Sequence, residues 1–124
     1  MIAHASVSVS DYAKSKEFYS KLLAPVGYVV GMDVPDYKAC GFTQDGRQDF
    51  WIGQSETPGQ VHVAFTASSK EEVDAFHAAG IESGGTDNGG PGYRTEYSAN
   101  YYASFVKDPD GNNIEAVWFD PDKA

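Results

Sequence analysis

The feature that most constrains the fold of this chain is an internal repeat that places a histidine at the same point in both halves. His4 begins the segment HASVSVS and His62 begins HVAFTAS, an offset of 62 − 4 = 58 positions. The same offset pairs Ser10 with Ser68, Phe18 with Phe76 and Gly27 with Gly85. Each half is therefore predicted to begin with a strand that carries a histidine and to continue into a capped helix. Two such units that face each other would bring both imidazoles into a shared cavity, where they suit a metal ion.

Sequence periodicity predicts the elements of the first half. Residues 2–9 alternate with period two, which indicates a strand with His4 on its more polar face. Ser10 or Asp11 is expected to cap a helix that ends near Leu23. Turn signals then separate three short strands, predicted at about 28–32, 37–43 and 48–53.

The second half repeats this order after a short linker at 55–59. A strand is predicted at 61–67, and Ser68 with Glu71 is expected to form a capping box at the start of a helix. Residues 84–92 contain five glycines and a proline and are predicted to hold no regular structure. Two further strands are predicted at about 100–107 and 113–119. The chain is thus predicted to be a single α+β domain of two modules, at about 1–55 and 58–120.

Composition excludes several classes of partner. The net charge of −9 opposes binding to nucleic acid or to an anionic membrane surface. Cys40 is the only cysteine, so an internal disulfide and a thiolate metal site are both excluded. The start, MIAHASVSV, does not have the pattern of a signal peptide, and no segment approaches the roughly 20 apolar residues of a membrane helix. A cytoplasmic protein without a membrane partner is therefore expected.

The last predicted strand, NIEAVW, holds Glu115 inside an otherwise apolar run. A buried carboxylate without a partner is unfavourable, so Glu115 is expected to join either a salt bridge or a metal ion. With His4 and His62 it makes a set of three metal ligands. Two imidazoles and a carboxylate suit Zn, Mn, Fe, Co or Ni, and they leave positions open for water or substrate. Such an open site favours catalysis over a structural role.

The corresponding position of the first half carries no ligand. The turn that ends at Gly46 matches the turn that ends at Gly111, an offset of 111 − 46 = 65, which pairs Glu115 with Phe50. Asp49 is expected to face the other way unless a bulge shifts the register. Phe50 is therefore predicted to line the cavity and to contact the substrate.

Four residues of the second half are candidates for work on the substrate. Tyr101 and Tyr102 are adjacent, so one of them is expected to face the cavity as a hydrogen-bond donor. Arg94 is a candidate to bind a carboxylate or phosphate in bidentate fashion, and Glu96 is a candidate general base. The alternative for these last two is a mutual ion pair at the surface.

Four segments of the chain carry a resemblance to a known family: IAHASVSVSDYAKSKEFYSKLLAPVGY, VHVAF, EEVDAFHAAG and NYYASFVKDPDGNNIEAVWF. They resemble the vicinal oxygen chelate superfamily, the group of glyoxalases, bleomycin-resistance proteins and extradiol dioxygenases. The resemblance implies two tandem βαβββ modules whose curved mixed sheets enclose a cavity, with metal ligands at His4, His62 and Glu115. Glyoxalase I has a fourth ligand, a glutamate, where this chain has Phe50. A three-ligand set is similar to that of the fosfomycin-resistance transferases and the extradiol dioxygenases.

The resemblance implies a function in one of two classes. The first is a metal-dependent enzyme of the glyoxalase type, a lyase or isomerase or else a transferase or dioxygenase, that acts on a small oxygenated organic substrate. The alternative is a non-enzymatic protein that sequesters a drug or antibiotic, similar to the bleomycin-resistance proteins. A third reading is that His4 and His62 persist in a site that no longer holds metal. Many relatives of this size are dimers, and some exchange modules so that each site draws ligands from two chains. A homodimer is therefore expected, and the short linker at 55–59 is compatible with either arrangement of the site.

Overall fold

The computed structural model describes residues 2–123, which form two α-helices and nine strands. The elements in chain order are β1 (Ala5–Val9), α1 (Tyr12–Leu23), β2 (Val29–Val34), β3 (Ala39–Thr43), β4 (Gln48–Gln54), β5 (His62–Thr66), α2 (Lys70–Glu82), β6 (Thr86–Asp87), β7 (Gly92–Tyr93), β8 (Tyr101–Lys107) and β9 (Asn113–Phe119). The predicted α+β class and the tandem arrangement of two modules are confirmed.

Both modules have the same strand topology. The first sheet has the order β1-β4-β3-β2, and the second has the order β5-β9-β8-β6, with β7 also paired to β8. In each sheet the first strand of the module runs parallel to the last, while the remaining pairs are antiparallel. A helix connects the first strand of each module to the rest of its sheet, as parallel pairing requires.

Side-chain caps fix the start of each helix. The Asp11 carboxylate accepts a hydrogen bond from the Lys14 N–H at 3.1 Å, so α1 begins where the sequence predicts. At α2 the cap is Ser69, whose hydroxyl accepts from the Glu72 N–H at 3.1 Å. The Glu72 carboxylate in turn accepts from the N–H of Ser68 at 2.8 Å. The predicted capping box was therefore wrong by one position, because Ser69 and not Ser68 takes the extended cap conformation.

One hydrophobic core is shared by the two modules. Its buried aromatic rings come from both halves. The ring centroid of Phe50 in the first sheet lies 5.0 Å from that of Phe65 in the second. The two helices pack against each other, and α2 comes so close at Gly80 that a β-carbon there would lie 2.9 Å from Leu22 Cδ1. The modules thus associate through helices and inward-facing side chains.

A buried carboxylate in the β8–β9 turn links module 2 to the first helix. Asp108 is 3% exposed and accepts hydrogen bonds from the Tyr19 hydroxyl at 2.5 Å and from the Asn112 amide side chain at 2.8 Å. It also accepts from the backbone N–H groups of Asp110 and Asn112. Burial and the carboxylate raise the pKa of Tyr19 well above its usual value. The DPDGNN turn is therefore a structural element of the module junction.

The glycine-rich segment 84–92 differs from its prediction. It contributes β6 and the start of β7, each two residues long, and both pair with β8. The neighbouring strand supplies hydrogen-bond partners, which local composition does not reveal. No helix within residues 2–123 is long and apolar enough to cross a membrane.

Candidate functional site

Each sheet has one face against the shared core and one open face, and the open face of the second sheet carries most of the candidate site. Along β9 the neighbours of Glu115 are buried in the core, so Glu115 itself faces the other way. Its register partner on β5 is Ala64, two positions beyond His62, and its partner on β8 is Phe105. This alternation brings His62, Phe105 and Glu115 to one surface.

A close contact joins His62 and Glu115. The Nε2 atom of His62 lies 2.9 Å from Oε1 of Glu115, whose side chain is 3% exposed against 50% for the imidazole. The Nδ1 atom of His62 lies 3.2 Å from the carbonyl oxygen of Asn113. These two contacts orient the ring, with Nδ1 toward the backbone carbonyl and Nε2 toward the carboxylate. The ring of Phe105 stacks against the imidazole with centroids 6.3 Å apart and supports this orientation.

Tyr101 holds the other oxygen of the carboxylate. Its hydroxyl donates a hydrogen bond to Oε2 of Glu115. Burial, together with this bond, raises the pKa of Tyr101 above its usual value, so the phenol keeps its proton at neutral pH. The rings of Tyr97 and Phe119 pack edge to face against the ring of Tyr101, with centroids 5.1 and 5.4 Å away. One carboxylate oxygen is thus committed to Tyr101, and the other faces His62.

Arg94 lies beside this face and binds the glycine-rich loop. Its guanidinium donates to the carbonyl oxygens of Gly90 and Gly92 at 2.8 and 2.9 Å, and it lies 5.3 Å from the centroid of the Phe105 ring. Glu96 is exposed on the turn that follows β7. In the part of the chain that the structure describes, Arg94 and Glu96 form no ion pair, so that alternative is corrected.

The open face of the first sheet forms a separate cavity of about 450 Å³. His4 lies at one end of it, just before β1, and Ser6 and Ser8 follow along the strand. The half-buried indole of Trp51, on β4, forms another part of the lining. The other lining residues carry no charge: Val7, Ala39, Gln48, Ile52 and Gly53.

His4 does not join His62 and Glu115 within one chain. Among residues 2–123, no three His, Cys, Asp or Glu side chains come together as donors for a metal ion. The two modules pack through their helices and core faces, and a cavity of about 380 Å³ lies between them, but its lining includes none of His4, His62 and Glu115. The sequence leaves open whether these ligands meet within one chain or across a dimer, and within residues 2–123 of one chain they do not meet.

Phe50 does not line either open face. It is 2% exposed and packs in the core against Tyr19 and Phe65. The register pairs Ser6 with Trp51, just as it pairs Ala64 with Glu115, so Trp51 is the true counterpart of the carboxylate. Phe50 lines a separate cavity of about 380 Å³ between the modules, so its substrate contact stays a prediction, while Trp51 is the open-face residue that the sequence analysis missed.

The two adjacent tyrosines face opposite ways, as expected from a strand. Tyr101 lies on the open face, whereas Tyr102 is 5% exposed and its hydroxyl donates to Asp74 of α2 at 2.6 Å. The predicted substrate contact of Tyr102 is therefore corrected, since helix α2 covers it. Burial and the bond to Asp74 raise the pKa of Tyr102.

Comparisons with known proteins agree with this fold. A family model described as Glyoxalase/Bleomycin resistance protein/Dioxygenase superfamily matches residues 1–116, and the chain belongs to this superfamily. No protein of curated function matches the sequence.

Solved structures of related proteins give the same picture. The crystal structure of a glyoxalase/bleomycin resistance protein from Albidiferax ferrireducens T118 is 32% identical, with a TM-score of 0.80 over 94% of this chain and 96% of its own. A putative glyoxalase from Bacillus halodurans is 24% identical, with a TM-score of 0.71 over 95% of both chains. Lactoylglutathione lyase from Agrobacterium tumefaciens is 20% identical, with a TM-score of 0.69 over 95% of this chain and 92% of its own. The last two show the fold alone.

Proposed function

We propose that this protein is a metal-dependent enzyme of the glyoxalase-like type, a lyase or isomerase that acts on a small oxygenated organic substrate. His62 and Glu115 of one chain and His4 of a second copy would hold one divalent metal ion, which is Zn, Mn, Fe, Co or Ni. The observation that carries the proposal is the contact between His62 Nε2 and Glu115 Oε1 on an open sheet face.

In the tautomer that carries its proton on Nδ1, the contact between His62 and Glu115 has room for a cation between the two facing atoms. When Nδ1 of His62 donates to the Asn113 carbonyl, Nε2 offers a lone pair, and Oε1 of Glu115 offers lone pairs as well. Two acceptors 2.9 Å apart repel each other unless they share a second ring proton or a metal cation. An imidazole nitrogen and a carboxylate oxygen on one open face suit a divalent first-row metal.

A site built from two chains accounts for the position of His4. The open face of the second sheet leaves Phe119 49% and Tyr97 62% exposed, and β2 of the first sheet leaves Met32 48% exposed. If a second copy covers these apolar groups, the first sheet of one chain lies over the second sheet of the other. Two-fold symmetry then creates two identical sites in a homodimer.

The residues of this chain have distinct roles in the proposed site. The metal would stabilise negative charge that develops on a substrate oxygen. Tyr101 holds Glu115 in place, and Asn113 orients the imidazole of His62. Arg94 commits two of its five N–H groups to the loop, and the others are proposed to bind an anionic part of the substrate. Glu96 stays a predicted base, without support from a contact to the site.

Metal analysis of the untagged chain tests the proposal. After reconstitution with each of the five metals, we expect about one ion per chain in the wild type and its loss in His62→Ala and Glu115→Gln. The matched control is His77→Ala, because His77 pairs with Asp87 on the surface at 2.8 Å, away from the site. Absence of bound metal in the wild type, or retention in both site variants, would contradict the proposal.

Mixing two variants, each of which lacks one of the proposed metal ligands, tests whether the site spans two chains. His4→Ala and His62→Ala chains are unfolded together and refolded, so that mixed dimers form. One of the two sites in each mixed dimer then has all its ligands, and about a quarter of the wild-type metal content returns with random pairing. If each site lies within one chain, no pairing restores a complete site, and the metal content stays near zero.

The sequestering function is the second candidate, and the large uncharged cavity beside Trp51 favours it. It requires no metal ligands, so it predicts tight binding of a small molecule by the His62→Ala variant. Metal analysis and ligand binding on the same variant therefore separate the two functions.

A further inference from the structure

We infer that the cavity on the open face of the first sheet binds a flat, uncharged aromatic group of the substrate, with the indole of Trp51 as the stacking surface. The inference deepens the proposed function, because it names the substrate class: an oxygen-bearing centre attached to an aromatic ring. The oxygen-bearing end would lie at His62 and Glu115, and the ring would lie on Trp51.

The first support is the way in which the indole is held. A β-carbon at Gly41, on the neighbouring strand, would lie 2.8 Å from both Cε2 and Cζ2 of Trp51, so the ring rests directly against that backbone. A β-carbon at Gly31, one strand further out, would lie 2.5 Å from Nε2 of Gln48. Because Gly31 and Gly41 have no β-carbon, the side chains of Trp51 and Gln48 can pack directly against the backbone of the sheet.

The second support is that the indole has no need of a polar partner from the substrate. Its Nε1–H donates to the backbone carbonyl of Gln48 at 3.1 Å. What Trp51 presents to the cavity is therefore its aromatic surface, and aromatic rings stack on such a surface in offset or edge-to-face geometry.

The third support is the lining of the cavity, which has room for a ring and little charge. Its volume is about 450 Å³, and among residues 2–123 only His4 brings an ionisable side chain to the lining. Ser6 and Ser8 have small side chains and Gly53 has none, which leaves space above the indole. The face of the second sheet contrasts with it, since Glu115, His62 and Arg94 supply polar and charged groups there. The two faces thus suit the two ends of one substrate.

Nuclear magnetic resonance with a pair of matched probes tests the inference. Benzyl alcohol and cyclohexylmethanol carry the same hydroxymethyl group on rings of equal size, but only the ring of benzyl alcohol is flat and aromatic. The indole N–H of Trp51 is observed in the nitrogen–proton correlation spectrum of the full chain, with and without zinc. Trp118→Phe assigns the two indole signals, because Trp118 lies near Tyr102 and not on the cavity.

We expect benzyl alcohol to shift the Trp51 signal by its ring current and to bind at least about tenfold more tightly than cyclohexylmethanol. Trp51→Leu, in which binding is measured from the backbone amide signals of Ser6 and Ser8 on the cavity lining, is expected to remove this preference. Gly41→Ala, which displaces the indole, is expected to reduce it in a chain that keeps Trp51. Equal binding of the two probes, or an unchanged preference in Trp51→Leu, would overturn the inference.

The outcome is independent of the metal test. Trp51→Leu retains His4, His62 and Glu115, so its metal content reports on the proposed function alone. A metal-free wild type that still prefers benzyl alcohol through Trp51 would refute the enzyme proposal and leave the aromatic site standing. A metal-loaded wild type without this preference would refute only the aromatic site.

Discussion

In module 2 the first and last strands carry His62 and Glu115 side by side, whereas in module 1 the corresponding positions carry His4 and Trp51. The strand order is the same in both modules, so the scaffold does not determine this difference. Module 2 offers a fixed carboxylate with a phenol behind it, while module 1 offers an uncharged cavity with an indole on its floor. Duplication of one unit has thus produced two faces of different chemistry, which suits a substrate with two different ends.

The largest expected effect on stability tests which residue of module 1, Phe50 or Trp51, is equivalent to Glu115. Phe50→Glu would bury a charge in the core among aromatic rings, and we expect it to lower the free energy of unfolding by more than about 4 kcal/mol. Trp51→Glu places the same charge on the open face, so a loss below ~2 kcal/mol is expected there. Urea denaturation measures both.

The same pair sharpens the comparison of the modules through metal affinity. Trp51→Glu would give module 1 the carboxylate that module 2 has, so the proposed site would gain a fourth ligand. We expect metal binding to tighten by at least about tenfold, or ~1.4 kcal/mol. Equal stabilities for the two variants would contradict the register, and weaker metal binding in Trp51→Glu would contradict the position proposed for the site.

A second comparison concerns the turn before the last strand of each module. Asp108 accepts four hydrogen bonds in the interior, including one from Tyr19 of module 1, whereas Asp45 in the other turn is exposed and pairs with Arg47. Asp108→Ala leaves buried donors without a partner, and a loss of about 3 kcal/mol or more is expected. For Asp45→Ala we expect a much smaller loss, because its ion pair with Arg47 is exposed to solvent. Similar losses in denaturant titrations would show that the turn does not connect the modules.

The repeat in the sequence was enough to predict the modules but not their register. The offset is 65 at Gly46 and Gly111, and it falls to 115 − 51 = 64 at the counterpart of Glu115. The cause is a bulge in module 1. Phe42 pairs with Phe50 and Thr43 pairs with Gln48, so Asp49 has no pairing partner on the neighbouring strand β3. A constant sequence offset identifies equivalent residues only if the paired strands of both modules contain the same number of residues. A bulge adds a residue to one strand, and the amino-acid composition does not reveal it.

Other features of the site depend on tertiary packing, which local sequence does not encode. Adjacent tyrosines on a strand must face opposite ways, but only the position of α2 determines that Tyr102 is covered and Tyr101 is open. Likewise, the two histidines mark equivalent positions, but the packing of the modules decides whether their open faces meet within a chain. The contact between His62 and Glu115 could be predicted because a repeat and an apolar strand each single out one polar residue, whereas their role as metal ligands stays a prediction.

The bond between Tyr19 and Asp108 also predicts a dependence on alkaline pH. The folded chain raises the pKa of Tyr19 well above 10, so its stabilising effect is complete below about pH 10 and is lost as the pH rises further. Tyr19→Phe removes this bond, and we expect a loss of ~1–2 kcal/mol at neutral pH. Between pH 9 and 11 its stability should fall less steeply than that of the wild type. Parallel pH curves for the two chains would contradict this role of Tyr19.

The smallest effect is expected at the two arginines that lie in loops. Arg94 donates to the carbonyl oxygens of Gly90 and Gly92 in module 2, while Arg47 pairs only with Asp45, at an exposed turn of module 1. Arg94→Ala should cost about 1 kcal/mol or less and should speed amide hydrogen exchange in residues 88–93, since the loop loses its side-chain anchor. Arg47→Ala is the matched control and should leave exchange in that loop unchanged. If exchange in residues 88–93 does not respond to Arg94→Ala, strand pairing with β8 alone fixes the loop, and Arg94 is then free to serve the substrate with all its N–H groups.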